Sequence, residues 1–305
     1  MFKFKVDLIR DKNILKALVL FAVPIFISNV FQQMYNTMDT MIIGNVLGDT
    51  SLAAIGACGA VYELLIGFAL GIGNGLSIVV ARSYGSKDER LLKKSVAGSL
   101  VIGAIVTVVI MIISGLFLYP LLELLNTPAN IINESYSYIS VITLFVGVMF
   151  AYNLFAGLLR AIGNSVMPLV FLIISSVINV VLDLIFITQF NMGIAGAAVA
   201  TVIAQGISAI LCLIYIIKKC PILIPSKECF KVEKDLYKEL AGQGLSMGLM
   251  LSIVSTGTVI LQTAINGLGY LTIAGHTAAR KLNSFCTMPV ATMSLALSTF
   301  VSQNK

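Results

Sequence analysis

The sequence predicts an all-α membrane protein, a polytopic helical bundle that crosses the bilayer many times. The hydrophobic fraction is 58% and the charged fraction only 11%, whereas soluble proteins carry roughly twice that charged share. Several of its apolar segments exceed the ~20 residues that a spanning helix needs. We predict spans at 14–44, 53–81, 95–119, 132–159, 166–190, 194–217, 241–267 and 272–301.

Basic residues fall on one side of this predicted topology. Of the 20 Lys and Arg residues, all but Arg280 and Lys281 lie before or at the start of span 1, after span 8, or between spans 2 and 3, 4 and 5, or 6 and 7. Loops that stay in the cytoplasm carry such an excess of positive charge. We therefore expect a multi-pass protein of the plasma (inner) membrane with both termini in the cytoplasm.

The net charge of +6 follows this membrane topology, so it does not indicate a nucleic-acid partner. We expect the lipid bilayer to be the surrounding partner. The five cysteines form no CxxC pair and no metal-ligand spacing. The composition therefore predicts neither a disulfide framework nor a structural metal.

Span 1 carries a polar stripe within an apolar helix. Ser28, Gln32, Tyr35, Asn36 and Asp39 follow one another at spacings that place them on one helix face. A carboxylate is costly in hydrocarbon, so Asp39 should face protein or a water-filled cavity. The alternative is a packing stripe with a protonated aspartate.

Three acids lie inside the predicted spans, namely Asp39, Glu63 and Asp183. At 1.5 Å per helical residue they lie roughly 10 to 16 Å below the outer surface, as does Thr201. Side chains placed only for packing need not share a depth. The match predicts a polar chamber in the outer half of spans 1 to 6. Its predicted lining is Gln32, Tyr35, Asn36, Glu63, Thr201 and Gln205.

Asp39 and Asp183 are the predicted centre of this chamber. Asn179 lies one helical turn from Asp183, and Gln205 one turn from Thr201. Two carboxylates in a medium of low dielectric constant repel each other, which favours binding of a proton or another cation. The alternative is a permanently protonated, hydrogen-bonded pair.

Two glycine motifs have structural explanations. Gly244-Leu-Ser-Met-Gly248 fits a hydrolase pattern, but that pattern needs a strand before it and a catalytic histidine. Here it opens an apolar span, and the only histidine of the chain is His276. No enzyme site is therefore expected. The glycines of 67–75, spaced four residues apart, predict close packing of span 2 against a neighbouring helix.

The loop 218–240 alternates apolar side chains with lysines and acids, which fits a short amphipathic helix on the membrane surface or a solvated linker. A shift of 221 residues aligns 45–48 with 266–269, which indicates a parallel repeat. We therefore expect a six-helix lobe over 1–217, a cytoplasmic linker, and the first two helices of an incomplete lobe over 241–305. Without further partners, this last segment should be poorly anchored.

Several stretches resemble the multidrug and toxic compound extrusion (MATE) family. They are Leu158–Pro168, Asn179–Asp183, Gly196–Gln205, Pro24 with Tyr35–Asp39 and Ile43–Gly44, and Ala279–Phe285 with Pro289. The resemblance covers essentially the whole chain. It implies a MATE-like six-helix N-lobe followed by the first two helices of a parallel-repeat C-lobe. The chain would then be a fragment or a truncated product that ends after about eight of twelve helices.

The resemblance implies a secondary antiporter, monomeric when full length, that exports cationic or amphipathic small molecules. It uses H⁺ or Na⁺ as coupling ion and no other cofactor. The family's coupling residues fall on Asp39, Asn179 and Asp183, where Na⁺ would also bind. Some sodium-coupled members carry an acid in helix 7, but Val254 and Ser255 occupy that neighbourhood here. A lipid-linked oligosaccharide flippase and a non-transporting membrane fragment remain as alternatives.

Overall fold

The computed structural model describes Leu8 and residues 13–125, 127–266 and 270–304; for 49, 60, 259, 262–266, 270–278 and 280–282 it describes the backbone alone. All regular secondary structure in these residues is helical, as predicted. The α-helices are α1 (Ile14–Leu47), α2 (Asp49–Gly85), α3 (Glu89–Leu124), α4 (Ile132–Leu144), α5 (Val146–Ala161), α6 (Val166–Leu184), α7 (Gly193–Lys219), α8 (Lys234–Asn266) and α9 (Tyr270–Asn304).

Six helices of the described residues are long and apolar enough to cross a membrane, and the pair α4–α5 makes a seventh span. The predicted span 132–159 consists of two helices, because α4 and α5 meet at a bend of 50°. Before the bend, the Thr143 hydroxyl donates to the carbonyls of Ile139 and Ser140, a bonding pattern that bends helices. The predicted span 241–267 lies on α8, which is long enough but less apolar over its described part.

The main hydrophobic core lies between α2, α3, α4, α5 and α7. Large side chains from different helices, such as Leu76, Ile139 and Leu159, are completely buried there. Apolar side chains on the outside of the bundle stay exposed, among them Ile112 and Leu116 of α3. Exposed apolar surface of this extent suits a lipid environment.

Glycines bring α2 and α8 into backbone contact, which confirms the prediction of close packing from the glycines of span 2. A Cβ atom on Gly71 would lie 2.7 Å from the Cα atom of Gly248, and one on Gly75 would lie 2.4 Å from the carbonyl oxygen of Gln243. The Gly244–Gly248 motif supplies the facing surface. It therefore packs two helices, as a small-xxx-small motif does.

The linker forms no separate amphipathic helix. Two 3₁₀ turns, Pro221–Leu223 and Lys227–Phe230, precede α8. Leu236 and Leu240, two of the apolar residues that suggested a surface helix, lie in the first turns of α8 and are buried in the main core. Burial against α3 explains their spacing as well as a membrane surface does.

The inner half of α9 packs against the rest of the protein, contrary to the expected poor anchoring. Ala296 is fully buried in a cluster with Phe21 and Ile25 of α1. The Gln303 amide donates to the carbonyl of Ala161 at 2.6 Å. The side chains of Gln262, Asn266, His276, Arg280 and Lys281 lie outside the described residues.

Candidate functional site

The polar stripe of α1 forms one wall of a cavity of about 190 Å³. Five of the six predicted lining residues surround this cavity together with Asp39, namely Gln32, Tyr35, Asn36, Thr201 and Gln205. They come from α1 and α7, which the sequence places far apart. The cavity brings together most of the predicted lining residues, but its wall does not include Asn179 or Asp183.

The carboxyl groups of Asp39 and Asp183 lie close enough to interact electrostatically, and both side chains are buried. The hydroxyl of Thr201 donates to Asp39 Oδ2 at 3.4 Å. When both carboxyls are ionised, neither can donate to the other, and their charges repel. The arrangement therefore favours a shared proton or a cation that binds both groups.

Asn179 is completely buried, as is Asp183 one turn further along α6. Seven buried polar atoms of the predicted coupling and lining residues have no hydrogen-bond partner among the described residues. They are Tyr35 Oη, Asp39 Oδ1, both amide atoms of Asn179, both carboxyl oxygens of Asp183, and Gln205 Oε1. Buried polar groups in proteins are nearly always satisfied, so this concentration marks a place for protons, water or ions. The donor set is rich in oxygen, which hard cations such as Na⁺ prefer.

A widened helical turn follows Asp183 directly. Residues Ile185–Gln189 form a π-helix, with the amide of Phe190 bonded to the carbonyl of Ile185 at 3.2 Å. Such turns are rare and occur often at functional sites. The sequence prediction missed it, and the run of β-branched and aromatic residues is its only visible signal.

Glu63 does not belong to the chamber, contrary to the prediction. Its side chain is exposed on α2, and it is absent from the cavity wall. Its neighbour Tyr62 lines the cavity instead, together with Tyr138 of α4. Adjacent residues of a helix point about 100° apart, so position along the span does not decide which of them faces the cavity. Sequence reasoning missed both tyrosines.

Comparison with known proteins identifies the family. The family model MatE matches residues 24–185, which is more than half of the chain. The chain belongs to the MATE family. Members of this family are transporters rather than enzymes.

Among its MATE relatives, the chain is 31% identical over 295 residues to the probable multidrug resistance protein YpnP of Bacillus subtilis (strain 168). It is 30% identical over 299 residues to the probable multidrug resistance protein YoeA of the same organism. Both matches cover 96% of this chain and 65% of the relative. The chain therefore spans slightly less than two thirds of the length of these relatives.

The structural match has the same extent. A crystal structure of MATE in the bent conformation superposes with a TM-score of 0.89 at 25% identity, over 98% of this chain and 67% of that one. The helical bundle is thus the MATE fold. Asp39 and Asp183 both lie within residues 24–185, the part of the chain that the family model matches.

Proposed function

We propose that this MATE protein is a secondary active antiporter that exports cationic or amphipathic small molecules, driven by inward flow of H⁺ or Na⁺. The observation that carries the proposal is the interaction of two buried carboxyl groups, Asp39 and Asp183, with Asp39 on the wall of an open cavity. Neutralising one of two buried carboxylates with an ion from outside changes the charge of the site by one unit. A change of that size can bias the conformation of the surrounding helices.

Both coupling ions suit the residues that we assign to coupling, Asp39, Asn179 and Asp183. A proton would make one carboxyl a hydrogen-bond donor to the other. A Na⁺ ion would find carboxylate and amide oxygens in one layer, which is the ligand type that hard cations bind. These residues would hold the ion, while polar side chains on the cavity wall, such as Gln32 and Asn36, keep the cavity polar.

The cavity is smaller than the 300 Å³ or more that drug-sized ligands usually need. It can admit a cationic group or one ring of a substrate, with the remainder in the space outside it. Tyr35, Tyr62 and Tyr138 line it, and aromatic faces attract organic cations. This favours cationic or amphipathic substrates, in agreement with the relatives that are named as multidrug resistance proteins.

The rest of the proposal concerns organisation. We place the protein in the plasma membrane with both termini in the cytoplasm, monomeric when full length and without a nucleic-acid partner. We assign 1–217 to an N-terminal lobe, 218–240 to a linker and 241–305 to a second lobe. A lipid-linked oligosaccharide flippase is the second candidate, but such a substrate favours a larger and more cationic cleft. A fragment without transport activity is the third.

Efflux from everted vesicles tests the proposal, with a pH gradient and a Na⁺ gradient imposed separately. We expect one gradient to drive export of a fluorescent organic cation, and Asp183→Asn to abolish the response. Export that ignores both gradients would contradict ion coupling. Movement of a lipid-linked oligosaccharide without cation export would favour the flippase.

A further inference from the structure

An ion pair joins the cytoplasmic ends of α2 and α8. Arg82 lies in the last turn of α2 and Glu239 near the start of α8, 157 residues later. The pair is bidentate, because Arg82 Nη2 donates to Glu239 Oε2 at 2.6 Å while Nη1 contacts Oε1. Fork-shaped pairing of this kind is stronger and more directional than an ordinary surface ion pair.

Next to this ion pair, α2 and α8 form a tight seam. Gly71 and Gly75 of α2 meet the backbone around Gly248 and Gly244 of α8. Ile72 packs against both α8 glycines and is only 3% exposed. The seam occupies the inner halves of the two helices and closes this side of the bundle.

The outer halves of the same helices do not touch through their glycines. A Cβ atom on Gly56, Gly59 or Gly67 of α2, or on Gly257 of α8, would have no heavy atom within 4 Å. Gly67 lies one turn from Gly71 on the same helix face, so the close glycine contact ends at this level of α2. Gly59 belongs to the cavity wall, so the candidate site lies beyond the outer end of the seam.

We propose that the Arg82–Glu239 ion pair is a latch that holds the cytoplasmic seam closed and opens when the site is exposed to the cytoplasm. The inference rests on the proposed transport function, because an exporter must admit its substrate from the cytoplasm. Glycine surfaces can part without loss of hydrogen bonds. Among the described residues, this is the one ion pair between α2 and α8, so its rupture is the directional step in parting them.

Accessibility of the seam tests the latch without any transport measurement. Ile72→Cys is made in the 305-residue chain with its five cysteines replaced by serine, and an impermeant maleimide is added to everted vesicles. Glu239→Gln removes the ion pair, so it should raise the rate at which the cysteine at position 72 is labelled by about fivefold. Unchanged labelling would overturn the proposal.

Two further variants separate the latch from a general loss of stability. Glu89→Gln removes the ion pair that Glu89 forms with Lys93 within α3, and it should leave labelling unchanged. The double variant Arg82→Glu with Glu239→Arg restores an ion pair with reversed polarity and should return labelling to the original rate. If labelling stays fast in the double variant, the labelling rate depends on each charge separately and not on the ion pair between them.

A reversible cross-link supplies the second readout. Arg82→Cys with Glu239→Cys should be joined by a bifunctional methanethiosulfonate, which forms a disulfide with each cysteine. This cross-link should stop cation efflux, and a reductant that cleaves both disulfides should restore it. Equal efflux before and after reduction would mean that the latch need not open, which overturns the proposal. If the reduced protein does not transport at all, the proposed function fails, and the labelling assay alone decides about the latch.

Discussion

Thr201 of α7 donates a hydrogen bond to the carboxylate of Asp39 on α1, 162 residues earlier in the chain. This contact fixes one oxygen of Asp39, while the other oxygen has no hydrogen-bond partner among the described residues. One side of the carboxylate is thus held by the protein, and the other is free to exchange an ion. Asp183 lies within reach of the same group, so three helices meet at a single carboxylate.

Asp39→Asn and Asp183→Asn should each abolish ion-driven efflux, because the two groups bind the coupling ion as one unit. Binding of a cationic substrate should fall less than about tenfold, since most of its contacts lie outside the small cavity. The double variant should be hardly worse than either single one. Efflux and proton release on substrate addition are the measurements.

Glu63→Gln is the control for these two variants, because Glu63 lies at a similar depth but outside the cavity wall. It should keep most of the efflux activity. If Glu63→Gln had no efflux activity while Asp183→Asn kept the original rate, coupling would depend on a different carboxylate.

Thr201→Val should lower ion-driven efflux by about threefold to tenfold, because it leaves Asp39 Oδ2 without its donor in a buried site. Thr201→Ser retains the hydroxyl and should stay within twofold of the original rate. Initial efflux rates at equal amounts of folded protein decide the matter. Equal losses in both variants would point to packing of the threonine methyl group.

Gly71→Ala should destabilise the protein by about 1 to 3 kcal/mol, because the new methyl group meets the backbone of α8. Gly67→Ala, one turn away on the same helix, is the control, since its Cβ position is open. Helix propensity predicts that this control gains up to about 1 kcal/mol. Thermal unfolding in detergent measures both, and equal effects would refute the tight seam.

Asn130→Cys should react with an impermeant thiol reagent from outside the cell, and Lys227→Cys should not, because the excess of basic residues places the loop at Lys227 in the cytoplasm. Both positions are exposed in the structure, so burial does not decide the result. Asn164, by contrast, is buried, so a cysteine at that position would not react with the reagent from either side of the membrane. Labelling of Lys227→Cys from outside would invert the topology.

Lys94 donates to Glu233 at 2.5 Å and thereby holds the pKa of Glu233 below its usual value. A lowered pKa means that this ion pair is fully formed above the usual glutamate pKa. It is lost as the pH falls through the lowered pKa. Hydrogen exchange of the segment before α8, corrected for its intrinsic pH dependence, should therefore rise in acid. Glu233→Gln should show the faster exchange already at neutral pH, and a flat profile in the original protein would contradict the role of this pair.

The sequence predicted the helices well and grouped polar residues of α1, α6 and α7, because both inferences follow from spacing along a single chain. It placed Asp39, Thr201 and Asp183 together for that reason. It could not predict which way a side chain points around the bundle, so Glu63 was assigned to the wrong wall. The break between α4 and α5 and the π turn after Asp183 depend on local hydrogen bonds, which apolar periodicity does not report.

The docking of α9 was missed for a different reason. A polar face such as Gln303 can be satisfied by any neighbour, and only the three-dimensional structure identifies Ala161 as its acceptor. The same holds for the glycines of α8, whose partner on α2 lies more than 150 residues away. When the apolar segments of a sequence resemble one another, the sequence gives little information about which helix packs against which.

The contacts between α1 and α9 also order events during biosynthesis. The Asn29 amide donates to Thr292, and the Asn304 amide donates to the carbonyl of Leu8. Chains fold while they are made, from the N-terminus onward, so α1 emerges well before α9 and receives these partners only after α9 is synthesised. Until then, the face of α1 around Phe21 and Ile25 has no final neighbour on that side. The helix that bears Asp39 therefore reaches its final position only after all the helices between α1 and α9 have been made.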